Sequence, residues 1–314
     1  MKTIKELMVG ETTDIFLLIK HAECKTGSTN KKYIDLILCD HSGEMNAKIW
    51  DHTPEAEQMY QANVLIKARG VVKEWNGQPQ LNIEKLRVVV EDDGCKIENF
   101  VPSAPFEASF MYDEIIKFTN QIKHADIQTI VKRLLQENKD KLLYYPAAQK
   151  NHHSIRSGWL YHIYTMLRSG EKLCEIYTFL NTDLVFAGVI LHDIAKLEEM
   201  NANELGIVSE YTIEGQLLGH IIQGIRMVDR IGKEIAADSE VLLLLQHLIL
   251  SHHYKGEWGS PKVPMIPEAE LLHHLDVIDA NMFDFKKSME TTNAGEMSEK
   301  IWTLQRKVYR TDLV

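Results

Sequence analysis

The second half of the chain carries an ordered series of side chains able to hold divalent metal. They are His162 in "GWLYHIYTM", His192 and Asp193 in "GVILHDIAKLEE", His220 in "GQLLGHIIQG", His252 and His253 in "LSHHYKGEWGS", and Asp276 in "LLHHLDVIDANM". Each lies in or at the end of an apolar run, where an unpaired imidazole or carboxylate is costly. Neutral imidazole and carboxylate are the usual protein ligands of divalent transition ions. Any one of these residues alone is more often a satisfied core or surface group. Together, in this order and with two carboxylates among them, they point to a metal site.

Residues around the series weigh less. Asp279, three after Asp276, falls on the same helical face and could orient a ligand; such an acid is more often a surface or structural hydrogen-bonder. His273 and His274 fit no metal position and read as packing residues or supports. His152 and His153, in "KNHHSIRSG", could meet a phosphate or merely line an entrance, and Arg156 reads as a surface ion-pair partner before a substrate contact.

Elements that could aim these side chains follow from periodicity. From Phe110 onward the pattern is helical: "MYDEIIKFTNQI" and "IQTIVKRLLQEN" are apolar at i, i+3, i+4 and i+7. Further helices are predicted at about 158–178, 183–194, 213–231, 239–253 and 268–288. The reading is an all-α bundle over 110–314, whose helices can project ligands into one pocket from several directions. The tail "KIWTLQRKVYRTDLV" is irregular, leaving open whether it docks on its own domain or on another subunit of a homo-oligomer.

The first ninety residues read differently. "TTDIFLLIKHAEC", "KKYIDLILCD", "EMNAKIWD", "NVLIKARGVVKEW" and "QPQLNIEKLRVVV" are strand-like, and "KTGSTN", "DHSGE" and "WNGQP" separate most of them. Ile34, Leu36 and Leu38 alternate with Tyr33, Asp35, Ile37 and Cys39, as do Met45, Ala47 and Ile49 with Asn46, Lys48 and Trp50; a period of two builds a half-buried strand. Five short strands suit an OB-like barrel over 1–90. In such a barrel Tyr33, Lys48, Trp50, Lys67, Arg69 and Trp75 would face a ligand, and aromatics among cations suit stacked bases and a tracked phosphate backbone. Trp50 and Trp75 could equally close the barrel ends. Residues 91–109, with acids, Gly and prolines and no period, read as a linker.

Composition narrows the classes. With 45% hydrophobic and 25% charged residues the chain is an ordinary globular one. No apolar run reaches the ~18 residues of a membrane span, so no membrane partner is expected. "MKTIKELMVGETTD" lacks a signal-peptide apolar core, which predicts a cytoplasmic protein. Cys24, Cys39, Cys95 and Cys174 form no CxxC pair, which argues against a zinc ribbon or disulfide framework. The net charge of -10 means that nucleic acid would be handled by a local surface or a metal site, not by bulk charge.

The ordered H…HD…H…HH…D series resembles the HD-domain superfamily of metal-dependent phosphohydrolases. The resemblance implies that His162, His192, Asp193 and Asp276 hold one ion. Asp193 would bridge to a second held by His220 and His252, with His253 close by. Lys196, one turn after the pair, matches a position where members often place a phosphate-contacting lysine; its alternative is an exposed helix-end lysine. A barrel joined to such a domain, with "GSPKVPMIPEA" after the histidine pair, is similar to the YhaM family of 3′-5′ exoribonucleases over nearly the whole chain. Ser157 and Tyr161 stand where relatives often carry a glycine and an acid.

This narrower resemblance implies degradation of single-stranded RNA, and of DNA, from a free 3′ end to mononucleotides. Manganese would be favoured, with iron, cobalt or zinc as alternatives, and two ions expected. Asp193, Lys196 and His253 would be the catalytic residues. The other readings are a nucleotidase or cyclic-nucleotide phosphodiesterase with a regulatory barrel, and a non-catalytic single-strand-binding protein.

Overall fold

The computed structural model describes residues 2–27 and 30–313; Ser28 and Thr29 of the "KTGSTN" turn fall outside that range. The chain divides into two compact units, Met1–Pro102 and Ser103–Val314.

The first unit is a closed barrel of β1 (Thr12–Thr26), β2 (Lys32–Asp40), β3 (Gly43–Ile49), β4 (Leu65–Trp75) and β5 (Gln78–Val88), in the order β1-β2-β3-β5-β4. β3 pairs with β5 in parallel and every other ladder is antiparallel, with β1 and β4 closing the ring. The five strand-like runs are therefore the five strands of an OB-type barrel. Alternation fills the interior as expected: Ile34, Leu36, Leu38, Met45, Ala47 and Ile49 are buried with Ile15, Leu17, Ile66 and Leu81. A fully buried aliphatic of this kind contributes about 1.5–3 kcal/mol. Between β3 and β4 lies a short helix, α1 (Pro54–Met59), where the Thr53 hydroxyl accepts from the Ala56 N–H at 3.1 Å.

The stretch 91–109 is shared between the units. Its first part is tied to the barrel. Arg87 forks onto Asp93 at 2.6 and 2.7 Å, and the Asn99 carbonyl accepts from the His41 N–H at 3.1 Å.

The second unit contains α2 (Ala108–Gln121), α3 (Ala125–Glu137), the single turn α4 (Lys139–Leu142), α5 (Gly158–Ile176), α6 (Thr182–Leu191) and α7 (Lys196–Glu199). A two-stranded ribbon that periodicity did not anticipate follows, β6 (Met200–Ala202) with β7 (Val208–Tyr211). α8 (Ile213–Glu234), α9 (Ser239–Ser251) and α10 (Pro267–Thr291) complete it. Every residue from Leu184 to Leu191 is buried, so α6 is apolar all round and runs through the middle of the bundle. Leu245, Leu248, Leu272 and Leu275, from α9 and α10, are buried in the same core. Beyond α10 the tail folds on its own unit: Arg310 donates to the carbonyls of Met289 and Thr292 at 2.8 and 2.7 Å. Among the described residues no helix is long and apolar enough to cross a membrane.

Candidate metal centre

The buried middle helix delivers the central pair. α6 ends at Leu191, and His192 and Asp193 follow directly, 0% and 2% exposed. The fully buried Trp159 of α5 donates its indole N–H to the Asp193 carbonyl at 3.0 Å, fixing the backbone there. One turn into α5, His162 is wholly buried beside them, and its ring centre lies 5.5 Å from that of His192. His252 stands at the end of α9, with its ring centre 5.0 Å from His192.

The His220 position depends on a break. α8 is interrupted at Gly219 (φ 67°, ψ 167°), a conformation that suits glycine. The break aims the His220 N–H away from the helix ladder and onto the Glu199 carboxylate at 3.0 Å. The same Glu199 oxygen bonds His220 Nδ1 at 3.1 Å. Helix α8 can come this close only because Gly215 is bare: a Cβ there would lie 2.2 Å from the Glu199 carbonyl oxygen.

One pattern recurs at four histidines. Nδ1 meets a fixed acceptor: Asp279 at 2.8 Å for His162, the Val189 carbonyl at 2.8 Å for His192, Glu199 for His220, and the Ile249 carbonyl at 2.8 Å for His252. Nε2 of all four is buried without a hydrogen-bond partner, and so is Asp193 Oδ1. Buried polar atoms are rarely left unsatisfied, and an imidazole oriented through one nitrogen with the other open is how a metal ligand is prepared. Ligand atoms of His162, His192 and Asp193 lie within 4.8 Å of one another, and so do those of Asp193, His220, His252 and His253. Asp193 belongs to both sets. Asp276 Oδ1 is 3.3 Å from His162 Nε2, beside the first. The donor set is nitrogen and oxygen, which fits divalent transition ions.

Electrostatics support the same reading. Burial raises the Asp193 carboxyl, but the Lys196 charge, then His192, more than offset it and hold the group well below the carboxylate range. Lys196 Nζ is 2.7 Å from Asp193 Oδ2. Burial opposes a charge on His162 too, yet the carboxylates of Asp276 and Asp279 hold its proton, up to about 10. Burial, with His253 and His192 alongside, pushes His252 well below its ordinary value. The cluster thus combines oxygen ligands that stay ionised with a neutral imidazole at His252, while His162 must give up a proton to ligate.

Other predicted residues find clear places. Lys196 is only 12% exposed on its side chain, so it is no free helix-end lysine. It shares with His152, His220, His253, His273 and Asp276 the lining of a cavity of about 490 Å³. His253 bonds through Nδ1 to the Trp258 carbonyl and through its N–H to Ser260 Oγ at 3.0 Å. Asp279 is a correction to the surface reading. It is largely buried and binds both His162 and His153, the latter at 2.7 Å through Nε2. His153 is thereby a support, and Arg156 donates to the Glu204 carbonyl at 3.1 Å. His273 supports the His252 carbonyl at 2.8 Å, while His274 is exposed beside Glu270.

Sequence reasoning missed Glu199. Its only signal was a position three residues after Lys196, within the stretch "HDIAKLEE".

On the barrel, four of the six expected contacts meet. Lys48 Nζ lies 4.9 Å from the Tyr33 ring centre, 5.3 Å from Trp50 and 5.7 Å from Trp75. Trp50 and Trp75 are 54% and 61% exposed, too open to be plugs at the barrel ends. Lys67 and Arg69 sit elsewhere, beside Phe16 (5.0 Å to the ring centre) and Asp14 (3.8 Å). At ~3.3 Å per residue along β4 they are roughly 20 Å or more from Trp75.

Residues 159–281 match the family model described as HD domain. The match spans His162 through Asp279. HD domains bind divalent metals, in keeping with the histidine and aspartate cluster found here. Similar solved structures include a domain of replication protein A from Methanococcus maripaludis, at 21% identity over 28% of this chain and 93% of that one, TM-score 0.24. Another is the replication factor A related protein from Methanobacterium thermoautotrophicum, at 18% identity over 28% and 90%, TM-score 0.25. A third is the mitochondrial single-stranded DNA binding protein from S. cerevisiae, at 12% identity over 26% and 97%, TM-score 0.22.

Proposed function

We propose that the chain is a divalent-metal-dependent 3′-5′ exonuclease acting on single-stranded RNA, and on single-stranded DNA, with release of mononucleotides. The observation that carries this reading is the set of four histidines whose buried Nε2 atoms have no hydrogen-bond partner and lie beside the carboxylates of Asp193 and Asp276. In this account His162, His192, Asp193 and Asp276 would hold one ion, and Asp193, His220, His252 and His253 would hold a second, manganese being favoured. Divalent ions bound there would acidify water and neutralise a scissile phosphate.

The protein's own groups do the rest. Lys196 presents a buried ammonium to the cavity, where it stabilises the charge that gathers on phosphate oxygens. His253, its Nδ1 fixed on the Trp258 carbonyl, faces the same cavity with its other nitrogen, which is thereby left free to complete the second ligand set. Glu199 and Asp279 hold imidazoles in orientation. The Tyr33, Lys48, Trp50 and Trp75 patch supplies stacking and charge for a single strand.

The test is protein stripped and reloaded with manganese, incubated with 5′-labelled single-stranded RNA. A ladder shortening from the 3′ end, absent with a 3′-blocked RNA, is the expected result. A cavity of about 490 Å³ also falls in the range of small-ligand sites, which favours small-nucleotide hydrolysis as the second reading. Intact RNA alongside rapid hydrolysis of nucleotides would establish that reading instead.

A further inference from the structure

A second cavity, about 890 Å³, adjoins the one at the metal cluster. The two share Ala148, Asn151, Tyr211, Asp284, Trp302 and Thr303 in their walls, so they form one groove leading outward from the histidines. Its far wall is the carboxy-terminal tail. That tail is held by built contacts: Ile301 N–H to the Arg306 carbonyl at 2.9 Å, Val308 N–H to Ser298 Oγ at 2.9 Å, and Thr303 Oγ1 to Asp284. The loop 301–306 thereby fixes Trp302 at the junction of the two cavities with 76% of its surface exposed.

Keeping a large indole in water is unfavourable unless something covers it. The charges beyond it say what. Lys150, Lys287 and Lys300 line the outer cavity, are exposed, and have no ion-pair partner among the described residues. The acids there are Glu299 and Asp284, the latter already accepting from Thr303. In a chain of net charge -10, three unpaired lysines beside a presented tryptophan form a local cationic, aromatic track.

We propose that this groove binds the polynucleotide upstream of the scissile phosphate. Trp302 stacks on a base, and Lys150, Lys287 and Lys300 meet backbone phosphates. The inference rests on the exonuclease reading for the direction in which the strand enters. It adds a polymer-binding subsite on the helical unit itself, and makes Trp302 a specificity-determining residue that separates oligonucleotides from small phosphodiesters.

The experiment compares the manganese-loaded full chain with its Trp302→Ala and Trp302→Phe variants. Substrates are a dinucleotide, a tetranucleotide, an octanucleotide and bis(p-nitrophenyl) phosphate. Alanine is expected to raise KM for the two longer oligonucleotides about 5- to 100-fold, the range of one lost base stack. The small diester, too short to reach a stacked base, is expected to lose far less than the longer oligonucleotides, and phenylalanine restores most of the loss. A KM that rises equally for every substrate, or for none, overturns the proposal.

Crosslinking of a 5-iodouridine octanucleotide to the chelated protein gives a readout without turnover. RNA shortened from its 3′ end but crosslinked away from Trp302 removes the groove and leaves the exonuclease. A crosslink at Trp302 without 3′-end shortening keeps the groove and removes the exonuclease.

Discussion

The barrel and the helical unit place their polar chemistry in opposite locations. Among the described residues, the barrel buries only Thr13 and Gln80 as polar side chains, and its aromatics and cations stand outside. The helical unit buries Asp193, Glu268, His153, His162, His192 and His252. A flexible strand needs a face it can slide over, where stacking and charge are reached from water. A phosphoryl transfer needs fixed charges in a place that water cannot screen, because electrostatic interactions strengthen as the local dielectric falls. The difference teaches why one unit could be drawn from alternation alone while the other needed its buried polar groups explained.

The largest effect expected from breaking this division is at Asp193. Asp193→Asn removes the carboxylate common to both ligand sets, and hydrolysis should fall by about 1,000-fold or more. RNA affinity of the barrel patch should stay the same. Single-turnover kinetics and fluorescence anisotropy on one preparation read both, and a parallel loss of binding would erase the division.

Next come the supports. Glu199→Gln and Asp279→Asn should each lower activity or metal affinity about 10- to 100-fold. Glu199→Gln should loosen the ion set of His220, and Asp279→Asn that of His162. Metal content by mass spectrometry should show one ion kept in each variant; loss of both ions from either would contradict two separable sets.

On the barrel, Trp50→Ala should weaken single-stranded RNA binding about 5- to 100-fold and leave hydrolysis of a small diester untouched. Lys48→Ala should flatten the slope of log affinity against log salt by about 0.7. A change in small-diester turnover with either variant would mean that the barrel takes part in the chemistry.

The smallest effect is in stability against acid. Burial, then the charges of His162 and Lys196, lowers His152 to about 3, and burial also lowers His153 and His253. Their folded values lie below the unfolded ~6.5. They contribute stability above that pH which is lost progressively as the pH falls toward 3. His162 is shifted the other way, so its contribution is complete below ~6.5 and fades only as the pH rises toward 10. In the barrel unit the lowered groups are carboxyls, Glu6, Glu11, Asp35, Glu55 and Asp93, whose contributions persist until about pH 4. Pulse proteolysis of the chelated chain between pH 7 and 4 should therefore cut the helical unit first. Cleavage beginning in the barrel would contradict this order.

How much was legible follows the same contrast. Ile34, Leu36 and Leu38 alternate along the chain, and the eight consecutive apolar residues of α6 announce a buried helix, so local pattern sufficed for the elements. The ligand series was legible because each member sits on its own apolar helix. Glu199 was hidden: its meeting with His220 depends on the break at Gly219 and the close approach at Gly215, both properties of packing. Asp279 shared a face with Asp276, but its partner His153 comes from a turn at φ 53°, far away in sequence. Alternation put Lys67 and Arg69 outside the barrel without saying which side, since that follows from how β1 and β4 close it. Trp302 gave no period, because its loop is set by contacts with Asp284 and Arg306 and not by helix or strand.

The central claim is that the open imidazoles around Asp193 are metal ligands and that the metal they hold makes the site work. Manganese should be titrated into chelator-stripped protein, with bound ion and RNA hydrolysis read at each step. Uptake should saturate at two equivalents per chain, with hydrolysis absent at first and rising as the cluster fills. Hydrolysis at full rate by the stripped protein, or saturation without any hydrolysis, would contradict the account.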